Sequence, residues 1–163
     1  MDCCAQKKSV TTELKDALCP SCQKKGRLVG RETSDSLLSA EYKAKVAQSS
    51  YMFCQTPDCD VVYYSENPDH RFLKAHLKVP VTAKDLGLGV PVCYCFNVTR
   101  QKVLDDLQST GTTNVYGDIS QKIKEGLCAC ETMNPQGNCC LGNVAKWIKQ
   151  AKILTNEIVP RRP

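Results

Sequence analysis

A chain of 163 residues with 42% hydrophobic content, twelve cysteines and a net charge of +5 is sized for one ordinary domain or two small ones. Its lysines are scattered rather than gathered into a strip, and no interleaved aromatics accompany them, which speaks against nucleic-acid binding. The opening MDCCAQKKSV has no apolar core of the secretory kind, and no stretch approaches ~18 consecutive apolar residues, so the chain reads as cytoplasmic and without a membrane segment.

Residues 1–18 read as a polar arm with one short amphipathic turn. From Cys19 the pattern becomes compact: CPSCQKKGRLVG is followed by SDSLLSAEYKAKV, which predicts a helix entered at Ser34 or Asp35. YMFC and VVYYS then predict two short strands. Residues 66–92, with Pro68, Pro80, Pro91, Gly87 and Gly89, have the composition of a connector. In NVTRQKVLDDLQSTG, Thr99 is placed to cap a helix, Val103, Leu104 and Leu107 share a face, and Gly111 closes the end. DISQKIKEG repeats the formula with Ile119, Ile123 and a stop at Gly126. LGNVAKWIKQAKIL adds a third helix with Leu141, Val144, Ile148 and Ala151 along one stripe and Trp147 beside it. The predicted units are an arm at 1–18, a β-containing unit with its connector at 19–90, a helical unit at 91–154 and a tail at 155–163.

Each half buries a thin core, and small domains of this kind are held by disulfides or metals. In a reducing compartment, clustered thiols favour metals. Cys19 and Cys22 form one clip and Cys54 and Cys59 a second, turn-rich one about thirty residues on. Two tight turns that each present a pair of sulfurs meet the tetrahedral demand of zinc without straining the backbone. A redox role for CPSC finds no support, because no long helix in a βαβ pattern follows it. His70 and His76 each stand alone in a charged stretch and read as solvated.

The second group is denser, with CYC at 93–95, CAC at 128–130 and CC at 139–140. A C-x-C loop followed by thiols at helix ends supplies the two thiolates per iron that a [2Fe-2S] cluster requires, and amides at helix N-termini stabilise sulfur charge. Cys93 and Cys95 are fixed by this pattern. Spacing alone leaves both Cys128 or Cys130 and Cys139 or Cys140 open as the other two.

VCYCFNVTRQKVLDDLQSTG resembles the opening of the bacterioferritin-associated ferredoxin module, in which V-C-x-C precedes a capped helix. CPSC…GRLVG, CQTPDCDVVYYS, VCYCFNVTR and CACETMNPQGNCCLG together are similar to the N-terminal half of the CopZ-type copper chaperone family, over roughly residues 18–153. The resemblance implies an α+β fold, with a small zinc-ribbon-like β-containing subdomain followed by a small helical [2Fe-2S] module. It implies zinc on Cys19, Cys22, Cys54 and Cys59, and, through the nine-residue interval of the family pattern, a [2Fe-2S] cluster on Cys93, Cys95, Cys130 and Cys140. It also implies a role in copper handling, with copper ions or a copper-handling protein such as a copper-transporting ATPase or a copper chaperone domain as partner. The M-x-C-x-x-C copper clip of the domain that follows in that family does not occur in these 163 residues.

Two functions follow from this pattern: a one-electron carrier that reduces Cu(II) to Cu(I) or assists Cu(I) handling, and a small ferredoxin for an unrelated redox partner. A non-redox zinc adaptor is the third alternative. Lys122, Lys124 and Lys146 are placed to offset the charge of a reduced cluster. Cys128 and Cys139 are either inert buried thiols or soft ligands for Cu(I), and Cys3 and Cys4 are a Cu(I)-capturing pair, an oxidation-prone pair or without a role, the last two favoured. No Cys/His nucleophile pair, phosphate-cradling loop or paired carboxylates are evident, so a redox carrier or metallochaperone fits better than an enzyme with a substrate pocket.

Overall fold

The computed structural model describes residues 16–47 and 50–158, so most of the N-terminal arm, with Cys3 and Cys4, lies outside the described residues. The architecture is α+β. Four strands, β1 (Arg27–Gly30), β2 (Ser50–Phe53), β3 (Val61–Tyr64) and β4 (Arg71–Leu73), form an antiparallel sheet in the order β1-β2-β3-β4. Strand β2 is buried on both faces. Its alternation sends Tyr51 and Phe53 into a core with Val29, Leu38 and Phe72, and Met52 toward the opposite side with Tyr64, Cys19 and Cys59.

The helix predicted from Ser34 is broken in two, α1 (Arg31–Leu37) and α2 (Ala40–Lys43). Between them Leu38, fully buried, turns extended and bridges to Leu77. Ser39 N–H and Lys78 N–H complete this short ladder by donating to His76 O and Leu37 O. Burial of Leu38 and sheet-like pairing with a distant segment override local helix propensity. The connector is also more ordered than its composition suggested: it supplies β4 and a 3-10 turn at Lys74–His76.

The second half opens with a hairpin of β5 (Pro91–Cys93) and β6 (Val98–Thr99), whose turn holds Asn97 at φ 50. Helix α3 (Arg100–Thr110) follows directly. Thr99 Oγ1 accepts from Lys102 N–H at 3.3 Å, and Gly111 closes the helix in the left-handed region at φ 75. Helix α4 (Val115–Lys124) starts three residues before the predicted stretch, and Gly126 takes the same left-handed conformation after it. A four-residue helix α5 (Cys130–Met133) precedes α6 (Leu141–Ile158). Helix α6 runs into the stretch read as tail, where Thr155 Oγ1 donates to Ala151 O. Val103, Leu104, Leu107, Val115, Ile119, Val144 and Ala151 fill one core together with Cys93, Cys130 and Cys140. Among the described residues no helix is long and apolar enough to cross a membrane.

The halves are stitched together. Helix α1 packs on α5, where Thr33 Oγ1 donates to Glu131 O at 2.6 Å, and Tyr63 Oη donates to Pro135 O at 2.8 Å from inside the sheet core. Gly137 sits at φ 65, and a Cβ there would lie 3.0 Å from both Thr33 Oγ1 and Val29 Cγ1.

Candidate metal centres

The CPSC clip is shaped by its backbone. Cys19 N–H donates to Lys24 O, Gln23 N–H donates to Cys19 O, and Gln23 adopts φ 58 to complete the knuckle. Gly26 follows because the chain passes too close to β2 and β3 for a side chain: a Cβ there would meet Phe53 O at 2.5 Å and Tyr64 Oη at 2.7 Å. Tyr64 Oη donates to Ala17 O at 3.0 Å, fixing the approach to Cys19. The second clip leaves β2 at Cys54, whose N–H donates to Val62 O, and Cys59 N–H donates back to Thr56 O.

These turns bring four thiols together. The sulfurs of Cys19, Cys22, Cys54 and Cys59 all lie within 4.8 Å of one another. Cys19 and Cys59 are 3.8 Å apart, and Cys22 and Cys54 3.7 Å. A tetrahedron of ~2.3 Å zinc–sulfur bonds has edges of about 3.8 Å. The donor set therefore fits zinc in chemistry and in size. Burial raises the Cys22 thiol, but Thr56 Oγ1 at 3.2 Å, the Lys24 backbone and neighbouring thiols outweigh it and bring it down to about 6. Burial pushes Cys19 up to about 12. Thiols must lose their protons to bind a metal, so loading this site releases protons.

The second group is assembled from a hairpin and two helix starts. Cys93 ends β5, Cys95 lies in the hairpin turn, Cys130 begins α5, and Cys140 immediately precedes α6. Cys140 Sγ lies 2.9 Å from Cys93 Sγ, and Cys95 Sγ lies 3.5 Å from Cys130 Sγ. Among the described residues only the first group has all four sulfurs within 4.8 Å of one another, so the second is two close pairs rather than one compact set. Ala129 N–H donates to Cys95 Sγ at 3.3 Å. Hydrogen bonds from Cys140 and then Cys95 pull Cys130 far below the usual thiol range, and Cys140 likewise lowers Cys93. Cys95 is pushed up by its bond to Cys130 and by burial. The loop that carries Cys140 is organised by Asn134, 1% exposed, which gives Nδ2–H to Asn138 O and accepts Gln136 N–H.

The four residues chosen through the family resemblance are therefore neighbours in space, three of them buried. Cys128 and Cys139 flank them in sequence, half-buried. Of the three lysines, Lys122 rests 4.9 Å above the Phe96 ring, beside Cys95. His76 is not the solvated side chain that its charged surroundings suggested. Its ring stacks on Tyr42 at 3.7 Å, and its Nδ1 accepts Leu73 N–H at 3.1 Å.

Several supporting residues were invisible in the sequence. Lys84 is buried, and its Nζ donates to Thr56 O and Cys59 O. Arg100 is buried at the head of α3, donates to Asp85 O at 2.6 Å and Thr82 O at 2.9 Å, and lies over the Trp147 ring. Tyr94, inside the C-x-C, donates to Pro80 O and accepts Thr82 N–H. Each anchors a side chain on a backbone group far away in sequence, and no spacing pattern announces such a bond. A cleft of about 340 Å³ between the halves is lined by Gln55 and Pro57 of the second clip and by Arg100, Asn143, Lys146 and Trp147 of the helical part.

Residues 16–78 match the CopZ zinc binding domain family. The copper chaperone CopZ of Archaeoglobus fulgidus is 30% identical over 122 residues, which cover 75% of this chain and 57% of that protein. The chain thus spans somewhat over half the length of that curated relative. The X-ray structure of the Archaeoglobus fulgidus CopZ N-terminal domain superposes with a TM-score of 0.64 at 27% identity, covering 80% of this chain and 96% of that domain.

Proposed function

We propose that the chain is a CopZ-type N-terminal region and a cytoplasmic protein of copper homeostasis, held by zinc and carrying one electron at a time. The observation that carries this reading is the separation of two thiol groups of different arrangement: a compact set on Cys19, Cys22, Cys54 and Cys59, and two close pairs, Cys93 with Cys140 and Cys95 with Cys130. We assign zinc to the first and a [2Fe-2S] cluster to the second, in units bounded at 19–90 and 91–154.

A [2Fe-2S] cluster bound by four thiolates supplies reversible one-electron exchange, near ~−400 mV in plant-type ferredoxins, which is low enough to convert Cu(II) to Cu(I). The protein's own groups serve that chemistry. Cys93 with Cys140 and Cys95 with Cys130 present thiolates in two pairs, as two irons require. Ala129 N–H, donating to Cys95 Sγ, stabilises negative charge on that sulfur. Val92, Val103 and Val144, all fully buried, keep water from the inner side. Lys122 beside Phe96 offsets the added negative charge after reduction. The copper ion is the substrate. Its electron originates from an external low-potential donor, and its onward acceptor is a copper-handling protein.

Visible absorption, EPR and metal analysis of anaerobically purified protein test the assignment. The expected result is a reddish protein with about two irons and one zinc per chain, and a rhombic S = 1/2 signal on reduction. A colourless protein with zinc at both sites overturns it. The copper role is tested by adding Cu(II) to the reduced protein with a Cu(I)-specific chromogenic chelator: one Cu(I) per reduced chain is expected, and none leaves a ferredoxin for another partner.

A further inference from the structure

Lys84 lies in the segment that composition marked as connector, yet its side chain is almost sealed from water, with 6% exposure. A buried ammonium is costly unless donors and charge are both matched. Its donors are matched by two carbonyls, Thr56 O at 2.7 Å and Cys59 O at 2.8 Å. Both belong to the turn that presents Cys54 and Cys59. Its charge is not matched by a carboxylate: the neighbouring Asp85 is engaged by Lys74 Nζ at 3.3 Å and Val81 N–H at 2.6 Å, and no ion pair of Lys84 exists among the described residues. One of the two carbonyls belongs to Cys59, itself one of the four clustered thiol residues. Four thiolates around one divalent ion leave two surplus negative charges, and the Lys84 cation is held against the turn that presents two of them.

We propose that Lys84 is the charge-compensating and positioning residue of the Cys19, Cys22, Cys54, Cys59 metal site. Its ammonium clamps the CQTPDC turn through two carbonyls and cancels one of the two surplus charges of the tetrathiolate. The proposal rests on the assignment of zinc to that site. Its neighbours in the turn hold the lysine in place: Val81 is buried in the sheet core, and Asp85 O, one residue on, is gripped by Arg100 at 2.6 Å. Lys84 therefore reaches the clip from a fixed base, so its stem loses little freedom when it binds. Sequence places it 25 residues from Cys59, outside any ligand motif.

The test replaces the ammonium and keeps the stem. Zinc affinity of the wild type and of Lys84→Met is measured by competition with a chromogenic zinc chelator, and the cobalt-substituted forms are compared by their visible d–d and thiolate charge-transfer bands. Outer groups around a metal site typically contribute 10–100-fold in affinity. Lys84→Met is expected to bind zinc at least about tenfold more weakly and to show shifted cobalt bands, changes that a packing role alone would not produce. Affinity within about twofold of wild type with unchanged bands overturns the proposal. A wild type that holds no zinc overturns the zinc assignment itself and is recognised before any variant is compared. Should Lys84→Met not fold, amine acetylation of the wild type decides. Lys84 is expected to be protected with zinc bound and labelled after chelation, while Lys25, exposed throughout, is labelled in both states; equal labelling of Lys84 in both overturns the proposal.

Discussion

Tyr63, in the middle of the sheet, donates its phenol hydrogen to the carbonyl of Pro135, 72 residues away in the loop that leads to Cys140. The ring is fully buried, and burial pushes its ionisation far above the ordinary phenol range, so the hydroxyl remains a donor at any physiological pH. Removing it by Tyr63→Phe leaves a buried carbonyl unpaired, which costs about 1–3 kcal/mol. A urea unfolding midpoint equal to wild type would refute this. The variant is also expected to release iron faster than zinc, because the broken bond belongs to the loop of Cys140.

Separate metal occupancy is the second prediction. Cys93→Ser is expected to abolish visible colour while one zinc remains per chain. Cys19→Ser is expected to lose zinc and destabilise the sheet, which buries that sulfur with Met52 and Tyr64. Metal analysis of both variants decides, and loss of both metals from either would show that the two groups are one site.

Gly26 tests the close approach beside the first clip. A methyl group there meets a backbone oxygen at 2.5 Å, and backbone gives less readily than a flexible side chain. Gly26→Ala is expected to destabilise the protein by about 1–3 kcal/mol and to lower zinc retention in the chelator assay. An unaltered thermal midpoint would contradict the tight packing of this knuckle.

A fourth prediction concerns acid. Burial, followed by the Lys45 cation, holds His76 below its ordinary value of 6.5, and the neutral ring accepts the Leu73 N–H through Nδ1. The unfolded chain binds this proton more readily than the folded one. The stabilisation is therefore complete above about 6.5 and falls as pH drops below it toward the folded value. His76→Asn retains an acceptor but no titration in this range. Its urea midpoint is expected to decline less than that of wild type between pH 7.5 and 5.5, and parallel declines would dismiss the histidine.

What the sequence conveyed follows from the range of the physics involved. Thr99, Gly111 and Gly126 act within one turn of their own helix, so the cap and both stops were legible. The two clips were legible because chelation demands paired sulfurs on tight turns. Leu38 was misread because its extended conformation depends on Leu77, distant in sequence. Strand β4 was missed because its three residues follow a proline-containing stretch and are held by pairing with β3. Nothing local in the sequence sets Lys84 and Arg100 apart from surface cations; the fold alone encloses them. The choice of Cys130 and Cys140 over their neighbours came from family resemblance, since one-residue alternatives do not differ in any local rule.

The two sulfur groups also differ from a nested pair of crosslinks. The first joins positions 40 residues apart, from Cys19 to Cys59, and the second joins positions 47 apart, from Cys93 to Cys140. These closed segments share no residue. A metal that fastens one therefore removes chain entropy from that segment alone, and neither loading step has to wait for the other. Each sulfur group thus acts as an independent clasp on its own stretch of chain.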